Sequence, residues 1–269
     1  MSFIAEIPSW VYLVAAAWIC LTVGSFINVV AYRLPLIMQA TDDAAGLSLS
    51  HPSSHCPACT ARIPSYLNIP VIGYLIARGR CHACATPIPV TYPLVELSVG
   101  ALGVTLLLVH GFNAVGFHAL VCFLGLAAAA AVDHQSKLLP SAIVLPVTAI
   151  ALLGAASGLS SVSAADAIFG AAAGLFACFI ADNAVGYFTG KQGLADGDWR
   201  LCAAIGAILG PLHLLPALFI ASAIAFPYKY ASRYRTQAEF PFGPPLVFGA
   251  TVVMIYDLTP LLNFILVRA

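Results

Sequence analysis

Four cysteines give the plainest chemical signal in this chain: CPAC at 56–59 and CHAC at 81–84, in the spacing C-x2-C-x21-C-x2-C. Each pair can close a tight knuckle, and the two together offer four thiolates in the tetrahedral arrangement that zinc favours. Two disulfides would use the same residues. The compartment decides between them, because cytoplasmic thiols stay reduced. Four sulfur ligands, Cys56, Cys59, Cys81 and Cys84, leave zinc no open position, so the expected role of the metal is structural. It would stabilise a loop too small to bury a core of its own. His55 and His82 flank the pairs and are expected on the surface beside a filled site.

The second signal is acidic. Asp133 closes an apolar run in AAAVDHQSKLLP, and Asp198 opens another in GLADGDWRL. A carboxylate at the edge of hydrocarbon is costly, which makes it a functional candidate by default. Two neighbouring carboxylates do not easily both ionise. A shared proton suits activation of water for attack on an amide, with the protonated partner polarising the carbonyl. The same residues have an ordinary reading, with Asp198 as a helix N-cap and Asp133 as a headgroup acid beside Lys137. Asp196, Asp182, Glu96 and Asp257 compete on the same argument, and spacing alone does not rank them.

The elements that must position these groups are hydrophobic helices. The chain is 61% hydrophobic with a mean hydropathy of +0.96, and it carries only 11 Lys and Arg and 11 Asp and Glu in 269 residues. A soluble domain of this length cannot hide that much apolar surface. Eight apolar segments are expected near 9–31, 92–109, 113–132, 140–158, 165–187, 198–211, 213–228 and 244–266. The sixth and seventh are short, are divided by Gly210-Pro211, and can form one broken helix. The expected fold is therefore an all-α polytopic membrane protein of about eight transmembrane helices with a small cytoplasmic zinc-binding loop. Residues 1–32 form the first span, 33–91 the loop and 92–269 the remaining bundle. Cys20, Cys122, Cys178 and Cys202 fall in apolar segments and read as packing residues. The acidic start at Glu6 does not fit a cleavable signal peptide. A net charge of zero argues against nucleic acid as a partner.

Basic residues orient the bundle. With eight crossings, Arg33, Arg62, Arg78, Arg80, Lys137, Lys191, Arg200, Lys229, Arg233 and Arg235 share one side, and only Arg268 falls on the other. That side is expected to be cytoplasmic. It would hold the cysteine loop, and with it Asp133 and Asp198 at one depth.

Several motifs together resemble the bifunctional type IV prepilin peptidases. GSFINVVAYRLP (24–35) resembles that family's opening signature, and residues 54–84 with the following YPLVEL (92–97) resemble its zinc loop. DHQSKLLP (133–140) and GKQGLADGDWRL (190–201) resemble the segments that carry its two catalytic aspartates. FPFGPPLVFGA (240–250) resembles its C-terminal signature. The resemblance implies a bacterial inner-membrane aspartyl peptidase that cleaves leaders from type IV prepilins and type II secretion pseudopilins on the cytoplasmic side. It also implies methylation of the exposed amine with S-adenosylmethionine. It makes Asp133 and Asp198 the catalytic pair, ranks Asp198 above Asp196, and makes the four loop cysteines the zinc ligands.

The chain departs from the family's pattern in places. Ala195 replaces the first glycine of glycine-x-glycine-aspartate, Ser141 replaces an aspartate after Leu-Pro, and Trp199-Arg200 replaces a smaller residue and Lys. No Gly-rich soluble nucleotide fold is present, so a methyl-donor pocket must come from spans and loop, with Asn28, Arg33 and Glu96 as candidates. Their ordinary roles would be headgroup anchoring for Arg33 and pairing within the bundle for the other two. The competing function is an ion or solute transporter with a zinc-clipped loop. It calls for acids near the midplane, such as Asp182 or Glu96, and for repeats in the two halves, of which none is visible.

Overall fold

The computed structural model describes residues 8–39, 46–189, 195–231 and 240–256. Expectations resting on Glu6, Lys191, Arg233, Arg235, Asp257 and Arg268 lie outside the described residues. Among the described residues every long element is an α-helix and no strand forms; only two isolated bridges, His55 to Arg62 and Arg80 to Pro87, pair extended backbone. Residue contacts divide the chain into two units, Met1–Thr105 and Leu106–Ala269.

The first unit opens with α1, Ser9–Met38, an apolar helix with Pro35 in its last turns. The expected end of this span, near residue 31, falls about two turns short. Arg33 is therefore a helical residue and not part of the loop. It is only 6% exposed, and it avoids an unpaired buried charge by donating to the carbonyls of Ser48 (2.9 Å) and Pro52 (2.7 Å). The loop then makes a short 3-10 turn, Ser65–Asn68, and a one-turn helix α2, Ile72–Ile76, before α3 begins at Thr91 and runs to His110. Helix α3 runs antiparallel to α1 at close range. A Cβ on Gly24 would lie 3.0 Å from Glu96 Cα, and one on Gly100 would lie 2.7 Å from Leu21 Cδ2. Asn28 Nδ2 donates to the Tyr92 carbonyl at 3.1 Å across the same seam.

The second unit holds α4 (Ala114–Ser136), α5 (Ser141–Ala156), α6 (Ala164–Thr189), α7 (Asp196–Ala231) and α8 (Gly243–Ile255). Asn113 caps α4, its side chain accepting from the backbone of Val115 and Gly116. Lys137 ends the helix in a left-handed conformation, its N–H returning to the Asp133 carbonyl at 2.8 Å. Pro140 then sets up the next start at Ser141. Among the described residues five helices are long and apolar enough to cross a membrane: Trp10–Met38, Thr91–His110, Ala114–Ser136, Ala164–Tyr187 and Asp196–Pro227. Helices α5 and α8 are shorter and equally apolar.

The sixth and seventh expected segments are one element broken at Gly210, whose φ of 73° and ψ of 172° only glycine adopts readily. Before the break, Cys202 and Gly206 pack backbone to backbone on Gly174 and Gly170 of α6, so the two helices run antiparallel. Small residues at such seams let apolar helices approach closely where lipid gives no hydrophobic drive. After the break, His213 lines a cavity with Met254, near the end of α8, while Ala217 and Ala221 touch Gly249, further towards its start. The chain past Gly210 therefore returns towards the end of the unit that holds Asp133. The four cysteines expected in the packing, Cys20, Cys122, Cys178 and Cys202, are all buried.

Candidate active site and metal centre

Asp133 sits in the last turn of α4 and Asp198 in the first turn of α7, and both are nearly buried, at 4% and 7% exposure. The corner between α4 and α5 brings these helix ends together. Leu139 lies where a Cβ on Gly197 would fall, 2.5 Å away, and Arg200 Nη1 donates to Ser141 Oγ.

Each carboxylate is fixed by one backbone N–H on Oδ2. For Asp133 the donor is Gly243, the first residue of α8, at 2.7 Å; for Asp198 it is Ala195, at 3.0 Å. Asp198 thus fills the third position of α7 and reaches back to the residue before the helix, as the acidic half of a capping box does. The ordinary reading of Asp198 as the N-cap itself is not met, because it stands inside the helix and only its Oδ2 serves the helix start. Among the described residues Oδ1 of each aspartate accepts no hydrogen bond, yet no buried side-chain oxygen lacks a partner. Both Oδ1 atoms accordingly open onto accessible space.

Of the rival acids, Asp196 is exposed at the start of α7 and Asp182 is half-buried along α6. Ala195, the residue in place of the glycine, supplies the N–H that Asp198 Oδ2 accepts. The partner that sequence reasoning missed is Gly243. A Cβ there would stand 2.7 Å from Asp133 Oδ2, so the carboxylate needs that glycine's bare backbone. The only trace of it in the sequence is the FGPP run, whose prolines start α8.

In the first unit the four loop sulfurs converge. Cys56 and Cys84 are 3.8 Å apart, Cys59 and Cys81 3.9 Å, and all four lie within 4.8 Å of one another. Sulfurs about 2.3 Å from a tetrahedral zinc would sit roughly 3.8 Å apart, so the residues fit that ion. The two knuckles repeat one backbone pattern. Cys56 N–H bonds to Ala61 and Thr60 N–H returns to Cys56, while Cys81 N–H bonds to Thr86 and Ala85 N–H returns to Cys81. Thr60 (φ 59°) and Ala85 (φ 58°) take the same left-handed conformation after the second cysteine of each pair. All eight cysteines are free thiols. The Thr86 hydroxyl, 3.1 Å from Cys84, leads the interactions that bring that thiol down to about 6, which favours the thiolate a metal needs. His82 is exposed, and His55 Nδ1 contacts the Ser53 carbonyl, so neither joins the cluster.

The three candidates for a methyl-donor pocket, Asn28, Arg33 and Glu96, all line one cavity of about 260 Å³. Each is partly committed. Arg33 and Asn28 donate as described above, and Glu96 Oε2 accepts from Val71 N–H at 2.6 Å.

A polytopic helical membrane protein with two buried aspartates at adjoining helix ends and a four-cysteine cluster able to hold a metal is a narrow class. Residues 18–110 match the family described as the bacterial peptidase A24 N-terminal domain, and residues 120–229 match the type IV leader peptidase family. Relatives named prepilin leader peptidase/N-methyltransferase include one from Neisseria gonorrhoeae, 31% identical over 88% of this chain and 88% of the relative. One from Pseudomonas putida is 32% identical over 95% and 94%, and one from Klebsiella pneumoniae is 39% identical over 76% and 88%. No solved structure matches. The chain belongs to the type IV leader peptidase family.

Proposed function

We propose that this chain removes the leader from type IV prepilins and type II secretion pseudopilins at the cytoplasmic face of the bacterial inner membrane, then methylates the new N-terminal amine. The names of its relatives support both activities. They give the transporter reading no support. Eight crossings, with the reversal at Gly210 counted as two, would put the cysteine loop, Asp133 and Asp198 on the side rich in Arg and Lys.

The observation that carries the peptidase is the pair of fixed carboxylates with open Oδ1 atoms. One carboxylate takes a proton from water as the oxygen attacks the scissile carbonyl carbon. The other, protonated, donates to the departing amide nitrogen as the C–N bond breaks. The products are a leader with a new carboxylate and a pilin with a free amine. Holding Oδ2 of each acid on a backbone N–H fixes where Oδ1 points, so no reorientation is needed during the reaction.

In the methylation, S-adenosylmethionine supplies a methyl group on a sulfonium. The S–CH3 bond breaks with its electron pair left on sulfur, the N–CH3 bond forms, and the amine proton leaves to solvent. Cys56, Cys59, Cys81 and Cys84 would hold a structural zinc that orders the loop around them, the part of the chain associated with this step. Co-expression of the full chain with a type IV prepilin tests the whole reading. The N-terminal mass of the pilin should show leader removal plus one methyl group, and an unprocessed pilin would contradict it.

A further inference from the structure

The cavity that Asn28, Arg33 and Glu96 share lies wholly in the first unit. One wall is the seam of α1 and α3, carrying Asn28, Tyr32, Tyr92 and Glu96. The opposite wall is the metal loop, including the ligands Cys56 and Cys81. Its lining is mainly apolar and aromatic with a few placed polar groups, and its volume of about 260 Å³ is just under the usual range for small-molecule sites, about 300–1,000 Å³.

We propose that this cavity binds the methyl donor, S-adenosylmethionine, and that the cysteine knuckles form one of its walls. The inference rests on the methyl-transfer half of the proposed function and names where that half takes place. The donor carries a sulfonium cation and an amino-acid zwitterion, so its site needs a cation-accepting surface and a cationic group. Both are here. Tyr32 and Tyr92 both line the cavity, and aromatic faces attract such cations. Glu96 is 8% exposed and held by the Val71 N–H on Oε2, which leaves its second oxygen to meet positive charge. Arg33 spends one N–H of each terminal nitrogen on Ser48 and Pro52, and its remaining donors can meet a carboxylate. The aspartates of the second unit contribute nothing to this cavity, so the two reactions draw on different residues.

The arrangement also explains why a filled, unreactive metal site would matter to a methyl transferase. Cys56 and Cys81 begin the two knuckles, and each supplies wall as well as ligand. Ordering the knuckles orders the pocket.

The test uses full-length protein reconstituted in nanodiscs with its zinc and radiolabelled S-adenosylmethionine. Equilibrium binding should give one donor per chain, and ultraviolet cross-linking of that donor should label peptides containing Tyr32 or Tyr92. Glu96→Gln keeps an acceptor for Val71 N–H but removes the charge, and Val29→Phe fills the cavity from α1. Each should weaken binding at least tenfold while zinc content and melting temperature stay at the wild-type level. Cross-links confined to residues 106–269 would overturn the proposal, as would undiminished binding by both zinc-loaded variants. The wild-type cross-link map needs no variant, so a variant that misfolds leaves the test intact. Wild-type protein that neither binds the donor nor methylates would instead sink the methyl-transfer reading itself. Methylation that survives with labelling elsewhere would sink only this pocket.

Discussion

Arg200 Nη1 donates a hydrogen bond to Ser141 Oγ, joining the first turn of α7 to the first residue of α5. Both stand where the family resemblance implies other residues, and the two meet in the structure. The contact lies two residues past Asp198 and just beyond the corner that follows Asp133, so it helps hold the proposed catalytic ends together. Arg200→Ala or Ser141→Ala should slow leader cleavage roughly fivefold, the loss of about 1 kcal/mol. Ser141→Asp should restore a charged partner for Arg200 and keep cleavage near the wild-type rate. Initial rates in membranes with a prepilin substrate decide this, and equal rates for all three variants would remove the contact from the account.

Gly243 is the position most sensitive to one added carbon. Its Cβ would meet Asp133 Oδ2 at 2.7 Å, so Gly243→Ala must push that carboxylate aside or lose its N–H bond. Cleavage should fall at least tenfold, in keeping with the cost of a small misplacement at a reacting centre. Protein abundance in the membrane should stay unchanged, since α8 gains a better helix former. Wild-type cleavage by this variant would show that Asp133 needs no such anchor.

Ala195→Gly, by contrast, should leave the cleavage rate within about twofold of wild type. The Ala195 N–H already reaches Asp198 Oδ2 at 3.0 Å, and that bond does not need a glycine. A large gain in rate from this change would mean that the alanine constrains the loop before α7.

Thr60 and Ala85 hold left-handed conformations without being glycine. Thr60→Gly and Ala85→Gly should each stabilise the metal-bound loop, by about 1 kcal/mol for a relieved left-handed residue. Zinc release to a chelator should slow roughly fivefold in each variant. Cys81→Ser should lower the zinc content of purified protein and expose residues 46–90 to protease, and full zinc in that variant would exclude Cys81 as a ligand.

The break at Gly210 makes a prediction about topology. Single cysteines placed at Lys229 and at Arg78 should react with impermeant thiol reagents only from the cytoplasmic side, and one at His213 only from the opposite side. Labelling of positions 213 and 229 from the same side would remove the return passage and the eight-crossing count with it.

The sequence made some of this legible and hid the rest for physical reasons. The C-x2-C pairs were readable because metal geometry imposes short, fixed spacings on neighbouring residues. The helices were readable because lipid demands long apolar runs, although the polar Arg33 masked the last turns of α1. Its charge is buried because loop carbonyls 15 and 19 residues away receive it, and no local pattern shows that. The Gly243 anchor for Asp133 is 110 residues distant and uses only a backbone N–H, which leaves no side-chain signature. The cavity beside the cysteine knuckles was foreshadowed by Asn28, Arg33 and Glu96. Its aromatic pair, Tyr32 and Tyr92, becomes visible only once α1 and α3 are set antiparallel.

The central claim is that Asp133 and Asp198 act as one acid–base unit. Co-expressing Asp133→Asn and Asp198→Asn variants separately with a prepilin, and weighing the pilin N-terminus by mass spectrometry, tests it most directly. The account predicts uncleaved, unmethylated prepilin from both variants, each inserted at the wild-type level. Mature, methylated pilin from either variant would contradict it.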